Sequence, residues 1–300
     1  MNKILIVCGP TASGKTALAA RAAKELGSEV ISADSMCVYR GFDIGTAKPT
    51  KEERCGVKHH MIDVCESGEA FSVADYKAMA EPLVQDLLKR GKIPVICGGT
   101  GFYVESILYD FSYGNTGKND DLRKRYEAIV QERGKEVLFE ILKEKDPLSA
   151  ARLHPNDVKR VVRALEIIEC GGRAKSGYAE ERRAKYDYTA VCVDFDRKTL
   201  YERINARADA MFAGGLVEEV RALLARGVSE HCQAMQGIGY KEVLDYLSQK
   251  TDLSQTIELV KRNSRRYAKR QITFFKRIEN LVGLAPAELN TQVKEVLSLL

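Results

Sequence analysis

Two hydrophobic periods alternate along this chain. Short continuous apolar runs rich in β-branched residues, at 4–8, 29–33, 93–97 and 188–195, are bounded by Gly, Asp or Ser. Their length and composition predict strands buried on both faces. Between them apolar residues recur every three or four positions. Residues 17–27 read as a helix stopped by Gly27, and residues 71–91 carry Val73, Tyr76, Ala80, Leu83, Val84 and Leu87 on one stripe behind a Ser72/Asp75 capping box. Strands alternating with helices predict an α/β fold, a parallel sheet flanked by helices.

From about residue 115 to 190 the period is helical only. One stripe is Leu122, Tyr126, Ile129 and Val130; the next is Val137, Leu138, Ile141 and Leu142; a third, Val158, Val161, Val162, Leu165 and Ile168, ends at Gly171-Gly172. The expected organisation is a core domain of 1–116 and 191–300, interrupted by a helical insertion domain over 117–190. After the chain returns to the sheet, helices are expected from Arg197, over 215–226, and from Gly237 onward.

Between the first run and the first helix lies Gly9-Pro10-Thr11-Ala12-Ser13-Gly14-Lys15-Thr16, which fits G-x-x-x-x-G-K-[ST]. In a strand–loop–helix setting such a loop aims backbone amides and a helix N-terminus at one point. Lys15 adds a positive charge and Thr16 a hydroxyl suited to Mg²⁺, so a diphosphate or triphosphate is expected there. Asp34 follows the second strand, where the carboxyl end of an open sheet faces the ligand crevice. It serves there as a general base or metal-shell carboxylate, or as the N-cap of a turn from Ser35. Residues 39–49 have no period and read as a loop over the crevice. Gly98-Gly99-Thr100-Gly101 either brings backbone to a ligand, with Thr100 as side-chain donor, or is a plain tight turn. His59-His60, ahead of the apolar run at 61–64 and near Cys55, match no standard metal spacing; strand-edge packing or substrate contact is the preferred reading.

Composition narrows this further. With 45% apolar residues the chain can bury a core, which excludes a disordered chain. No apolar run approaches the length of a membrane span and no leader pattern opens the sequence, so a cytoplasmic protein with no membrane partner is expected. The eight cysteines contain no C-x-x-C pair, which argues for reduced thiols over a disulfide framework or zinc site. The net charge is only +5, but Lys261, Arg262, Arg265, Arg266, Lys269, Arg270, Lys276 and Arg277 follow one another with no acid between them, and Tyr267, Phe274 and Phe275 interleave. This basic helix is either the footprint of a polyanion or a solvated face supporting the site. Lys159, Arg160 and Arg163, off the stripe of the third insertion helix, pose the same choice. The residues alone leave a small-molecule or nucleoside kinase using ATP beside an RNA-acting transferase, with the basic helix favouring the latter.

Several runs together resemble the tRNA dimethylallyltransferase family, bacterial type. They are residues 9–16, Ile31 to Met36, Val38 to Gly41, Asp43 to Pro49, His59-His60, Phe71 to Asp75, Gly98 to Gly101, Arg163 to Glu166, Gly237 to Glu242 and Tyr267 to Gln271, in family order over about residues 4–278. The resemblance implies a P-loop kinase-like core with a helical insertion, Mg²⁺ as cofactor, and dimethylallyl diphosphate and a tRNA anticodon stem-loop as partners. It implies transfer of a dimethylallyl group to N6 of the adenine 3′ of the anticodon, by an enzyme expected to act as a monomer. By the same resemblance Gly9, Pro10, Thr11, Ala12, Ser13, Gly14, Lys15 and Thr16 hold the diphosphate, and Thr16 the metal. Asp34 takes the amine proton, Thr100 bonds the bridging oxygen and Arg207 bears on the leaving group. Implied tRNA contacts are Asp34, Ser35, Met36, Cys37, Thr100, Arg123, Lys159, Arg160, Val161, Val162 and Arg163; Arg266 and Lys269 of the basic helix join them. Cys37 stands where the family has glutamine, and a thiol cannot supply an amide's paired donor and acceptor. No Cys and His pairs follow Cys232, so the zinc finger of eukaryotic relatives is not expected.

Overall fold

The computed structural model describes residues 2–110, 119–171 and 183–300. It forms two units, Met1–Leu108 with Ala184–Leu300, and Tyr109–Arg183. The expected insertion limit at 116/117 and the stop residue Gly172 lie outside the described residues.

In the first unit, β1 (Lys3–Cys8), β2 (Val30–Ser32), β3 (His59–His60), β4 (Val95–Gly98), β5 (Asp187–Val193) and β6 (Leu281–Leu284) make one parallel sheet ordered β3-β2-β4-β1-β5-β6. Every strand pair being parallel, helices cross between them and cover the faces. Leu5, Val7, Val30, Val95 and Val191 pack with Leu18 and Ala22 of α1 (Lys15–Glu25) in the main core. α2 (Val73–Lys89) starts at the foreseen capping box: Ser72 Oγ accepts from Asp75 N at 3.2 Å, and Asp75 Oδ2 accepts from Ser72 N at 2.8 Å. The remaining helices of this unit are α3 (Gly101–Leu108), α8 (Arg197–Ala213), α9 (Leu216–Ala225), α10 (Tyr240–Leu247), α11 (Leu253–Phe275) and α12 (Leu289–Ser298). No helix among the described residues is long and apolar enough to cross a membrane.

One sequence expectation shifts and another is sharpened. Asp187 pairs with Lys3 and Tyr188 with Ile4, so residues 187–190 belong to the core sheet and not to the insertion. The edge strand is His59–His60 and stops there, because Met61 and Asp63 hold positive φ of 60° and 56°, which breaks extended backbone. The two histidines join the sheet edge: His60 Nε2 lies 2.7 Å from Glu29 Oε2, and His59 Nδ1 donates to the Val57 carbonyl at 3.0 Å. Arg90, hydrogen-bonded to Glu29 at 2.8 Å, is the main cause holding that carboxyl down at about 2, with His60 adding to it. Among the described residues no three His, Cys, Asp or Glu side chains are grouped to hold a metal.

The second unit holds α4 (Asp120–Arg133), α5 (Lys135–Lys145), α6 (Pro147–Ala150) and α7 (Val158–Gly171). Its own core joins Tyr126, Leu138, Leu142 and Leu165 with Val161 and Val162. Val161 and Val162 are 1% and 6% exposed. Their side chains are core packing, so the expectation of tRNA contact there is corrected to the cations beside them, Lys159 and Arg160, both exposed. Arg123 and Arg163 converge on fully buried Glu166. Arg123 donates at 2.9 and 3.0 Å, Arg163 at 2.6 Å, and Asn119 N at 2.7 Å. Burial alone would raise this carboxyl, but the two guanidiniums outweigh it and hold it at about 2. A buried carboxylate so paired fixes both arginines in place.

Candidate active site

The carboxyl ends of β1, β2 and β4 meet around a cavity of about 370 Å³. Their approach is close enough to require glycine: a Cβ on Gly98 would sit 2.1 Å from the Ala33 carbonyl oxygen. Thr11, Lys15, Thr16, Asp34, Cys37 and Arg207 all line this cavity.

The loop after β1 has the geometry of an anion cradle. Ala12 (φ 62°) and Gly14 (φ 83°) take left-handed conformations, and α1 starts at Gly14 with no side-chain cap, leaving its first amides for a ligand. A non-glycine residue at positive φ is strained, and here the strained turn is held from outside. Arg203 of α8 donates Nε to the Ala12 carbonyl at 2.8 Å, and Gln271 of α11 accepts from Thr11 N at 2.9 Å while donating to the Gly99 carbonyl at 2.9 Å. Gln271 thereby ties the phosphate loop to the Gly98–Gly101 turn. Lys15 is buried, its Nζ donating to the Pro10 carbonyl at 3.1 Å; burial first, and nearby Arg207 as well, pull its ammonium below the usual lysine value. Ser13 Oγ and Arg207 Nε are buried without a hydrogen-bond partner among the described residues.

Asp34 takes the capping role that the sequence left open and still lines the cavity. Its Oδ1 accepts from Met36 N at 2.9 Å and Cys37 N at 3.4 Å, closing the turn, while Oδ2 has no hydrogen bond among the described residues. The carboxylate is therefore oriented by one oxygen and available through the other. Thr100 Oγ1 accepts from Ser35 N at 2.9 Å and donates to Ser35 Oγ at 3.2 Å, so in this arrangement its proton is directed at Ser35. Burial lowers the Arg207 guanidinium from its ordinary value and Asp34 opposes that shift. A buried Lys15 and a half-buried Arg207 against one carboxylate give the cavity the potential of a site for a multiply charged anion.

The remaining expected residues divide by exposure. Cys37 is buried, with burial and the Asp34 charge pushing its thiol up, so it offers a neutral wall to the cavity. Arg266 and Lys269 are exposed on α11, whereas Lys261 is tied to Asp209 at 2.8 Å and Arg265 to Asn205 at 2.5 Å. The aromatics of that helix turn inward, with Arg270 over the Tyr267 ring at 5.5 Å and Arg277 over the Phe274 ring at 5.3 Å. Tyr267 lines the cavity, its phenol pushed up to about 12 by burial and by Asp34; Phe275 is buried, and Phe274 packs where a Cβ on Gly101 would sit 2.1 Å from its ring. Arg203, Gln271 and Tyr267 were not foreseen in these roles. Each acts across more than sixty residues of sequence, which no local period encodes.

Fold and site together define a P-loop-type α/β core whose glycine-rich loop after β1 and whose carboxylate after β2 line one cavity, with β4 between the two strands. The family model described as IPP transferase matches residues 37–278, and the chain belongs to that family. It is 43% identical over all of its length to a protein named tRNA dimethylallyltransferase from Acetivibrio thermocellus, covering 96% of that relative, and 46% identical over 92% of its length to one of the same name from Geobacillus thermodenitrificans, covering 88%. A crystal structure of tRNA isopentenylpyrophosphate transferase from Bacillus halodurans is similar over the whole chain and 95% of that structure, at 42% identity and a TM-score of 0.75. A eukaryotic dimethylallyltransferase acting on tRNA is similar over 97% of this chain and 75% of its own, at 27% identity and a TM-score of 0.83.

Proposed function

We propose that this chain transfers the dimethylallyl group of dimethylallyl diphosphate to N6 of the adenine 3′ of the anticodon in tRNA, releasing diphosphate. The observation that carries this reading is the cavity lined together by Lys15, Arg207 and Asp34, whose Oδ2 has no hydrogen bond among the described residues. An exocyclic amine is a poor nucleophile, and it becomes neutral product only if a base removes its proton. As N6 bonds to the allylic carbon, the bond from that carbon to diphosphate oxygen breaks; the amine proton passes to Asp34 Oδ2 and the electron pair leaves on diphosphate. The loop amides from Ala12 to Thr16, with Lys15 and Arg207, oppose the charge that gathers there. Thr100, once it turns from Ser35, is a donor for the bridging oxygen.

Mg²⁺ fits this set. It is a hard ion that takes one or two side-chain oxygens and the rest of its shell from phosphate and water, and the Thr16 hydroxyl on the cavity wall is such a ligand. When bound, the ion neutralises charge on the diphosphate.

The base must leave its stack to enter a cavity of this size. Arg266 and Lys269 on α11, and Arg123, Lys159, Arg160 and Arg163 of the second unit, are the cations we assign to the RNA, with Ser35 and Met36 beside the base. Replacing Arg266 and Lys269 together by Ala is expected to weaken tRNA binding and reduce the slope of log affinity against log salt by about one to two. Filter binding from low to high salt measures this; an unchanged slope returns that face of α11 to plain solvation. The activity itself is tested by incubating the protein with Mg²⁺, unmodified tRNA and labelled dimethylallyl diphosphate or labelled ATP. Label entering tRNA from the first only is expected, and transfer from ATP alone, or from neither, overturns the reading.

A further inference from the structure

Beside Lys48, which ties Tyr39, Asp43 and Asp63 together, the loop over the crevice is held by a side chain that no part of the reaction scheme uses. Glu219, on α9, is separated from that loop by more than 170 residues of sequence. Its Oε2 accepts from the backbone N–H of Asp43 at 3.0 Å and of Ile44 at 2.8 Å; its Oε1 accepts from Gly45 N–H at 3.2 Å and from the Tyr240 hydroxyl at 2.7 Å. Four donors on one carboxylate make a charge-assisted anchor stronger than a neutral loop contact. The packing leaves the loop one position: a Cβ on Gly45 would stand 2.5 Å from the Tyr240 ring and 2.9 Å from Leu216, and the Phe42 ring lies 4.8 Å from Tyr240. The next residue completes the chain of contacts. Thr46 turns its hydroxyl back onto the Phe42 carbonyl at 2.6 Å, and its own carbonyl accepts from Arg207 Nη2 at 3.4 Å. That is the hydrogen bond that orients a guanidinium whose buried Nε has no partner among the described residues.

We infer that Glu219 is a positioning residue for Arg207: by folding residues 43–45 it places the Thr46 carbonyl that aims the guanidinium at the leaving diphosphate. The inference rests on the reading of Arg207 given above, and the two are separable by experiment. Glutamine at 219 keeps the size but lacks the charge, and its amide nitrogen cannot accept from Gly45 or Tyr240. Single-turnover rates and donor and tRNA affinities are to be compared for wild type, Glu219→Gln, Arg207→Ala and the double variant. Glu219→Gln is expected to slow transfer about tenfold to a hundredfold, a misplacement effect, with tRNA affinity within about twofold. In the Arg207→Ala background it is expected to add less than about twofold, because residues acting as a unit are not additive. Equal slowing in both backgrounds, or unchanged transfer in Glu219→Gln, overturns the positioning role. Near-normal transfer by Arg207→Ala overturns the reading of Arg207 and, with it, the route from Glu219, whereas a slow Arg207→Ala with an additive Glu219→Gln overturns only the latter. If Glu219→Gln does not fold, Tyr240→Phe, which removes only the bond to Oε1, carries the same cycle with an expected effect of about twofold to fivefold.

Discussion

Asp34→Asn is expected to slow prenyl transfer by about 10²–10⁴ while tRNA affinity stays within about twofold, the range lost when a positioned general base is removed. The structure makes this substitution unusually clean. Oδ1 of Asp34 closes the turn through Met36 N and Cys37 N, and an asparagine carbonyl oxygen accepts the same two bonds. The backbone carrying Ser35 and Met36 is therefore kept, and only the ability of the second position to accept a proton is lost. Electrostatics sharpen the expectation for the donor. Asp34 opposes the shift that burial imposes on both Lys15 and Arg207, so removing its charge leaves two cations unopposed. Donor affinity should hold or rise while the chemical step collapses. Rapid-quench single-turnover kinetics with labelled donor, set beside tRNA filter binding, separate the two effects; near-normal transfer, or loss of transfer that follows loss of tRNA binding, removes Asp34 from the role of base.

The parts of this enzyme legible in the sequence are those written in local periods. The buried runs at 4–8 and 93–97 became β1 and β4, and the Ser72/Asp75 pair started α2 where its capping box required. The phosphate loop was legible because its function needs glycine and lysine at fixed spacing along one stretch of chain. β6 was not foreseen, since Leu281-Val282-Gly283-Leu284 is short, interrupted by glycine and becomes a strand only by pairing with β5. Val161 and Val162 were grouped with the cations around them because the resemblance treats residues 159–163 as one contact segment. Helical geometry separates them: with 3.6 residues per turn the valines face the core of their unit while Lys159 and Arg160 face water.

What the sequence hid is mostly a set of single polar side chains that bind backbone. Gln271 joins the Thr11 amide to the Gly99 carbonyl, Arg203 holds the Ala12 carbonyl, and Glu219 gathers three amides of the crevice loop. Their partners are main-chain atoms, identical at every residue, so no pairing of side-chain types announces them. Glu166 differs in having charged partners, yet Arg123 stands forty-three residues away on another helix. These residues turn a loop of the right composition into one of fixed shape, and fixed donors cost no reorganisation when charge develops.

That preorganisation is what the second large effect measures. Lys15→Met is expected to lower the rate of transfer by about 10²–10³, the loss seen when one preorganised donor to a developing oxyanion is removed. Methionine keeps the unbranched stem in the buried space on α1, so the loop loses the ammonium and its bond to the Pro10 carbonyl and little packing. The split between rate and affinity carries the argument. Before reaction the diphosphate has much of its charge already, and the amides from Ala12 to Thr16 at the open N-terminus of α1 still hold it, so donor affinity should fall by less than the rate. As the allylic carbon departs, a further charge arrives on the bridging oxygen, and a cation buried away from water opposes it far more strongly than a solvated one would. Lys15 is held in that costly state, its ammonium destabilised by burial, and the incoming charge relieves part of the cost. A Lys15→Met enzyme that loses only donor affinity, with an unchanged rate at saturation, would mean that the ammonium merely holds the ground state, and that the amides and Arg207 carry the departing charge alone.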